Sequence, residues 1–247
     1  MGVNAGGDWY GGNGFVGGDN VRSLLPASSI ITIPATARTD SGFTAGGLAG
    51  YNYQIGSFVF GAETDFNYID SHSERSGSTS ILCCLKLRPA PGFPPTVLVP
   101  IRGSGAVETL SLESKSQLDW FGTARARLGF LPTPRLLIYG TGGLGYGEVG
   151  RSLENSNVFT ANVTSRFWEG SNSEIKVGWN AGGGVEYALT SAVSIRAEYL
   201  YLDLGKSSVT ANYAGLFPQT APWTQIYYTS SHDNKFNIAR AAVAYKF

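Results

Sequence analysis

Charged residues are scarce in this chain. They make up 15% of the sequence, against about 25% in an average soluble domain. The 18 basic residues balance the 18 acidic ones, so the chain has no general positive field for nucleic acid and we expect no nucleic-acid partner. Few charges together with 33 glycines and 13% aromatic residues favour a protein whose outer surface is unusually apolar.

Long apolar runs are also missing. No stretch approaches the ~18 consecutive apolar residues of a membrane-spanning helix, and the mean hydropathy is −0.04. The N-terminus, MGVNAGGDWY, has neither the basic nor the apolar region of a secretory signal. The sequence therefore predicts no transmembrane helix, and we expect any export signal to have been removed already.

Cysteine and histidine are too few to suggest chemistry. Cys83 and Cys84 are adjacent and cannot join distant segments, so a vicinal disulfide, two free thiols or intermolecular pairing all remain open. Of the two histidines, His232 lies between Ser231 and Asp233, and consecutive residues do not converge as a catalytic triad. We expect no enzyme, no cofactor and no metal site.

Three glycines match the spacing of a dinucleotide-binding turn. Gly140, Gly142 and Gly145 read G-x-G-x-x-G after an apolar run. That fingerprint requires a helix to follow, whose N-terminus holds the pyrophosphate. Gly147 and Gly150 come next, and each costs about 1 kcal/mol in a helix interior. These glycines therefore need another explanation.

Alternation of apolar and polar residues predicts eight strands. In 174–189, for example, Ile175, Val177 and Trp179 share one face, and Glu174, Lys176 and Asn180 share the other. Short turns join these strands near residues 55, 132 and 190, whereas the other connections are long and polar. The predicted strands are 1–10, 42–54, 58–70, 116–130, 135–149, 174–189, 193–204 and 235–247, with loops at 11–41, 71–115, 150–173 and 205–234.

Short turns at one rim and long loops at the other are typical of an outer-membrane barrel. A spanning strand needs about 9–11 tilted residues, and in lipid every backbone group must be paired, which requires a closed barrel. We therefore predict one all-β domain over residues 1–247, an eight-stranded antiparallel up-and-down transmembrane barrel with short periplasmic turns and long extracellular loops.

In such a barrel the polar faces point into a narrow lumen. We expect their mixed charges to form a network of ion pairs there, because an unpaired buried charge costs several kcal/mol. A soluble eight-stranded barrel with an apolar pocket is the alternative, and it predicts the inverse orientation. Aromatic residues near strand ends favour the membrane. The predicted network is Glu63, Asp65, Asp119, Arg125, Arg127, Lys176, Glu186, Arg196, Glu198 and Arg240.

The glycine-rich segment is then the fifth strand, 135–149. Its small residues would leave room in the lumen for long arginine and glutamate side chains of neighbouring strands. The register of this strand stays open. Leu136, Ile138, Leu144 and Tyr146 indicate one outward face, whereas Leu137, Tyr139 and Val149 indicate the other.

Four blocks carry a family resemblance: GLAGYNYQIGSFVFGAETDFNYID, LDWFGTARARLGFLPTPRLLIYGTGGLGYGEV, VGWNAGGGVEYALTSAVSIRAEYLYLDLGK and FNIARAAVAYKF. They resemble the Omp25/Omp31 porin family of alphaproteobacteria, small outer-membrane surface proteins with an OmpA-like eight-stranded barrel. The resemblance implies an outer-membrane location with loops on the cell surface, and contact with outer-membrane lipid and lipopolysaccharide. Tyr245 and Phe247 are similar to the C-terminal signal that barrel-assembly machinery reads.

Two functions remain open. One is a structural and surface-interaction protein that contributes to envelope integrity, and the other is a narrow channel for small solutes or ions; eight-stranded barrels are mostly filled, which favours the first. Parts of the loops are unusually apolar and predict either a homo-oligomer or surface lattice, or hairpins that pack on one another above the membrane. The candidate loop contacts are Ile31, Ile33, Val97, Leu98, Phe217 and Trp223.

Overall fold

The computed structural model describes residues 1–10, 36–39, 42–83, 86–89, 98–101, 106–159, 165–213 and 228–246. Eight long antiparallel strands account for most of these residues. They are β1 (Gly2–Tyr10), β2 (Gly42–Ile55), β3 (Phe58–Cys83), β4 (Ala106–Thr133), β5 (Leu136–Phe159), β6 (Ser165–Ala188), β7 (Val193–Tyr213) and β8 (Tyr228–Tyr245).

The eight strands close into a ring. Each pairs with its neighbours in the sequence, and β1 pairs with β8, so that Ala5 lies opposite both Ala45 and Ala241. Closure removes the unpaired edge that an open sheet would expose to lipid. The predicted eight-stranded antiparallel up-and-down barrel is confirmed. In the described ranges, no helix has the length and apolar character needed to cross a membrane.

The three shortest connections between the eight strands lie at the end of the barrel that also holds the first residue. β2 turns into β3 at Gly56, whose φ of 60° suits glycine. Met1 and Tyr245 exchange hydrogen bonds there, since the terminal ammonium of Met1 donates to the Tyr245 carbonyl at 2.9 Å and the Tyr245 amide donates to the Met1 carbonyl at 2.7 Å. By the rule for outer-membrane barrels this is the periplasmic end.

At the opposite end the strands continue well beyond their predicted limits. β3 and β4 stay paired as far as Cys83 and Ala106, and β5 and β6 as far as Val158 and Ser165. The predicted loops 71–115, 150–173 and 205–234 therefore contain long stretches of strand, and their boundaries were wrong. Three short strands add to the extracellular side: Thr36–Thr39, which pairs with β3, and Lys86–Pro89, which pairs with Leu98–Ile101.

Two irregularities in the ladders change which side chains face the lumen. In β4 the register shifts between Leu118 and Trp120. Simple alternation would put Leu118 on the same outward face as Trp120, but the shift turns Leu118 inward, where 1% of its surface is exposed. In β7 the shift follows Asp203, where Gly205 has a φ of 73°. Such bulges insert a residue and reverse the alternation beyond it.

The outer wall carries an apolar band. On β6 the outward side chains run from Ile175 to Tyr187, which at about 3.3 Å per residue and a tilt of roughly 40° gives a band about 30 Å tall. This height matches the hydrocarbon core of a bilayer, about 30 Å. Near its outer rim, Trp120 stacks on Phe66 at 5.4 Å and meets Tyr146 edge-on at 6.2 Å between ring centroids. The outer surface of the barrel wall is therefore apolar.

Candidate functional site: the charged lumen

Strand alternation brings eight charged side chains into the lumen, where they form one lumen charge cluster. Each lies on the inward face of its strand, and at most 16% of any of these side chains is exposed. Four arginines and four carboxylates give a net charge of zero. The members are Glu63 and Asp65 on β3, Arg125 and Arg127 on β4, Glu186 on β6, Arg196 and Glu198 on β7, and Arg240 on β8.

Half of the cluster is a closed ring of ion pairs. Arg125 contacts Asp65 at 2.9 Å and Glu198 at 2.7 Å between nitrogen and oxygen. Arg240 contacts the same two carboxylates, each at 2.7 Å. Asn67 adds a side-chain N–H donated to Asp65 at 2.9 Å. Each charge in this ring therefore has two opposite neighbours, the arrangement a buried ion pair needs to offset its desolvation.

The other half is a branch that leads toward the periplasmic end. Glu63 contacts Arg125 and also Arg196, the latter at 2.5 Å. Glu186 accepts from Arg127 at 2.5 Å and from Arg196 at 3.3 Å. The Ser194 hydroxyl donates to Glu186 at 2.6 Å. The branch ends at Arg127, which contacts a single carboxylate among the described ion pairs.

Two members of the predicted network lie outside the cluster. Asp119 sits at the register shift of β4 and is half-exposed, so the bulge removes it from the inward row. Lys176 does face inward, but it lies closer to the extracellular end and pairs with Glu174 at 2.9 Å. The structure therefore brings eight of the ten predicted residues together in the cluster. Lys176 faces the lumen outside the cluster, and the inward position predicted for Asp119 was wrong.

The aromatic ring of Tyr139 contacts the two arginines of the branch on its periplasmic side. The guanidinium of Arg127 lies over the Tyr139 ring with its carbon 3.6 Å from the centroid, and that of Arg196 lies at 5.6 Å. A cation this close to a ring face is attracted by the ring quadrupole. Val59 and Leu137 pack with Tyr139, and Leu131 packs against them. An apolar patch from β3, β4 and β5 thus lies between this side of the charge cluster and the periplasmic turns.

A second, larger apolar layer fills the lumen on the extracellular side of the cluster; we call it the apolar seal. Its side chains come from five strands, and none has more than 2% of its surface exposed. Thr44 on β2, Asp8 on β1 and Asn180 on β6 also face inward and are buried. A continuous column of water along these side chains would expose them. The seal consists of Ile69, Leu118, Phe121, Val149, Leu200, Leu202, Leu204, Phe236 and Ile238.

Above the apolar seal the lumen stays filled. Arg151 donates to Asn234 at 2.9 Å, and the Asn234 amide donates to Ser207 at the same distance. Four further apolar side chains are buried beyond this polar layer: Leu153, Trp168, Val209 and Ala211.

On the outer wall at this height, the Lys115 ammonium beside Glu113 lowers the pKa of the Glu113 carboxyl, chiefly through a hydrogen bond.

The glycine-rich strand has a defined register. Leu136, Ile138, Leu144 and Tyr146 face outward, and Leu137, Tyr139 and Val149 face inward. The inward glycines were predicted to make room for arginine and glutamate side chains. Instead, a Cβ on Gly145 would lie 2.3 Å from Cδ1 of Leu202, so this glycine makes room for the apolar seal. For Gly145 the prediction was therefore wrong about which side chain occupies the space.

The apolar seal is what sequence reasoning missed. Leu200, Leu202 and Leu204 occupy the same alternate positions in β7 as Arg196 and Glu198. The sequence did contain a signal for this apolar layer, because three leucines follow Arg196 and Glu198 on the face that was predicted to be polar. Phe121 gives the same signal, since it lies in the same alternate row of β4 as Arg125 and Arg127. Leu118 had no such signal, because its orientation depends on the register shift before Trp120.

Several sequence predictions fall on residues outside the described part of the chain. These are the loop contacts Ile31, Ile33, Val97, Phe217 and Trp223, together with Phe247 and Cys84. For Leu98 and Cys83 the structure describes the backbone alone, as members of strands. Tyr245 is described at the end of β8, with its side chain facing outward and 52% exposed.

Comparison with known proteins identifies the family. The model of the outer membrane protein beta-barrel domain matches residues 2–247. The chain belongs to this family of outer-membrane barrels. Its location is the outer membrane, with the apolar band in lipid and the charge cluster in the lumen. The soluble-barrel alternative, which placed the charges outside, is thereby excluded.

Named relatives agree with the resemblance found in the sequence. The 31 kDa outer-membrane immunogenic proteins of Brucella melitensis and Brucella suis are each 36% identical over 69% of this chain and 58% of their own length. A 22 kDa outer membrane protein of Rhizobium leguminosarum is 28% identical over 66% of this chain and 53% of its own length. The resemblance to the Omp25/Omp31 family is confirmed. The chain covers less than two thirds of these relatives.

Among solved structures, the crystal structure of Ail, the attachment invasion locus protein of Yersinia pestis, aligns with 98% of this chain and 96% of its own. The identity is 11% and the TM-score 0.30. At that TM-score the alignment carries no argument about function.

Proposed function

We propose that this protein is a structural, surface-exposed barrel that contributes to envelope integrity and does not conduct. The apolar seal supports the proposal most strongly, because its nine side chains leave no exposed surface for a column of water or ions. The neutral charge cluster below it adds a second obstruction. An ion that entered from the periplasm would have to break several paired charges and then cross an apolar layer.

A planar-bilayer recording tests this proposal directly. The wild-type barrel, refolded and inserted, should give no stable unitary conductance. The double variant Phe121→Ala with Leu202→Ala serves as a positive control, because it removes two large side chains from the apolar seal and should leave a wet gap. Stable conductance of the wild type would favour the alternative function, a narrow channel for small solutes or ions.

We also propose that the outer wall contacts outer-membrane lipid and lipopolysaccharide, and that Tyr245 and Phe247 are read by the barrel-assembly machinery. The apolar band and the outward position of Tyr245 support these contacts. A Tyr245→Ala variant tests the second one. It should assemble more slowly in cells, whereas its refolding in pure lipid should match the wild type. Equal rates in cells would contradict the assembly role.

Self-association through the extracellular loops is a further part of the proposal. Its support is the apolar sequence around Ile31, Val97 and Phe217. Crosslinking in intact outer membranes should yield dimers or larger species. A matched variant with serine at these three positions should yield fewer. Monomer alone from the wild type would contradict self-association and leave the structural role of the barrel itself unchanged.

A further inference from the structure

A carboxylate lies among aromatic rings on the outer wall, at the extracellular rim of the apolar band. Glu148 is on the outward face of β5, two residues beyond Tyr146, and lies opposite Trp120 of β4 in the ladder. Two neutral groups donate hydrogen bonds to it: Nε1 of Trp120 to Oε2 at 2.9 Å, and the Ser173 hydroxyl to Oε1 at 2.8 Å. These two bonds hold the carboxylate in a fixed position beside the rings.

Glu148 has no counter-ion among the side chains that the structure describes. The lysines of the neighbouring strands pair elsewhere, since Lys115 on β4 contacts Glu113 at 2.7 Å and Lys176 on β6 contacts Glu174 at 2.9 Å. A girdle of aromatic residues at the lipid interface accounts for tryptophan and tyrosine rings at this height. It does not account for a negative charge that is held among them by neutral donors.

The rings beside this carboxylate form two sides of a corner. Trp120 meets Tyr146 with 69° between the ring planes and 6.2 Å between the centroids, and it stacks on Phe66. The Tyr146 ring lies close against the wall, because a Cβ on Gly122 would overlap it. Two steeply angled rings and a carboxylate are the parts of an aromatic cage that binds an ammonium group. We call this site the ammonium corner (Glu148, Trp120 and Tyr146).

We infer, on the basis of the lipid contact proposed above, that the ammonium corner binds the positively charged ammonium of a lipid headgroup in the outer leaflet. A lipid fits better than a soluble amine, because the corner borders the apolar band and Phe66 and Tyr68 beside it are 56% and 61% exposed. An ammonium fits better than calcium or magnesium. Those ions take about six or more oxygen ligands, whereas the corner offers one carboxylate and two rings.

Native mass spectrometry of the folded barrel in detergent measures its affinity for single lipids. The probes are phosphatidylcholine, whose headgroup ends in a quaternary ammonium, and phosphatidylglycerol, whose headgroup has no ammonium. Glu148→Gln should weaken the binding of phosphatidylcholine about fivefold, because it removes the negative charge that faces the ammonium. It should not weaken the binding of phosphatidylglycerol, and this second affinity shows that the variant is folded.

Two further variants make the test specific. Glu154→Gln is the matched control, because Glu154 is an exposed carboxylate further along the outward face of the same strand; it should leave both affinities unchanged. Trp120→Phe keeps a ring but removes the donor that positions Glu148, and should weaken the binding of phosphatidylcholine alone.

Three results would overturn the inference: an unchanged affinity of Glu148→Gln for phosphatidylcholine, an equal loss for both lipids, or loss of wild-type binding when EDTA is added. The last would show that a divalent cation bridges Glu148 to a lipid phosphate. The proposed contact of the outer wall with lipid would survive all three, and would be contradicted only if the wild type bound neither lipid.

Discussion

Arg125 is the residue on which most of the lumen depends. Its guanidinium joins the ring of ion pairs to the branch, since it contacts Glu63, Asp65 and Glu198. None of its side-chain surface is exposed. Removing one partner of a buried ion pair lowers the free energy of unfolding strongly, because the other charge stays buried without a partner. Here three carboxylates would lose a partner together.

We predict that Arg125→Gln lowers the free energy of unfolding by about 3–5 kcal/mol. Lys206→Gln is a suitable control, because that ammonium is 78% exposed and lies 3.8 Å from Asp233, and exposed pairs contribute about 0–1 kcal/mol. Urea titration of the barrel in lipid vesicles measures both changes. Equal losses in the two variants would show that the charge cluster has no special role.

Gly145 allows a second test at the scale of single residues. A valine there would collide with Leu202, and overpacking of this kind costs about 1–3 kcal/mol. We predict that Gly145→Val is destabilised by that amount and that adding Leu202→Ala recovers part of the loss. Gly140→Ala should be nearly neutral, because its Cβ would meet only a carbonyl oxygen at 3.9 Å. The same urea titration measures all three variants. If the double variant recovered no stability, the packing of Leu202 in the apolar seal would not depend on the glycine at position 145.

At the scale of elements, the membrane-spanning strands could be predicted from sequence and their extensions could not. Segments such as 174–189 alternate cleanly because one face meets lipid and the other the lumen. Above the membrane the outward face of a strand such as β5 meets water and no longer lipid, so Ser152 and Glu154 give no apolar period. Pairing with neighbours on both sides holds these residues in strands.

We predict that amide protons in residues 150–157 exchange slowly in the folded barrel, because β5 is paired there with both β4 and β6. Hydrogen–deuterium exchange followed by mass spectrometry measures this. The periplasmic turn at 133–135 provides an internal reference for exposed backbone. If residues 150–157 exchanged as fast as that turn, they would form a loop, as predicted from the sequence, and not a strand.

At the scale of the whole molecule, the sequence determined the orientation of the wall but not the packing of its interior. Eight of the ten predicted charges meet in the cluster because alternation puts them on the same face of their strands. The apolar seal depends on which inward side chains from five strands meet at one height, and on bulges near Asp119 and Gly205 that alter the alternation. Neither can be inferred from one strand at a time.

The wall is apolar outside, and the lumen is dry at the apolar seal. Single cysteines in β7 test both parts, on a background with Cys83→Ser and Cys84→Ser. In the folded barrel in vesicles, Ala197→Cys should react with a lipid-soluble maleimide and not with a charged thiol reagent, because residue 197 faces lipid. Leu200→Cys should react with neither until the barrel unfolds, because residue 200 is completely buried. Reaction of Leu200→Cys in the folded barrel with the charged reagent would show that the lumen is open and wet at this height, contrary to the packing of the apolar seal.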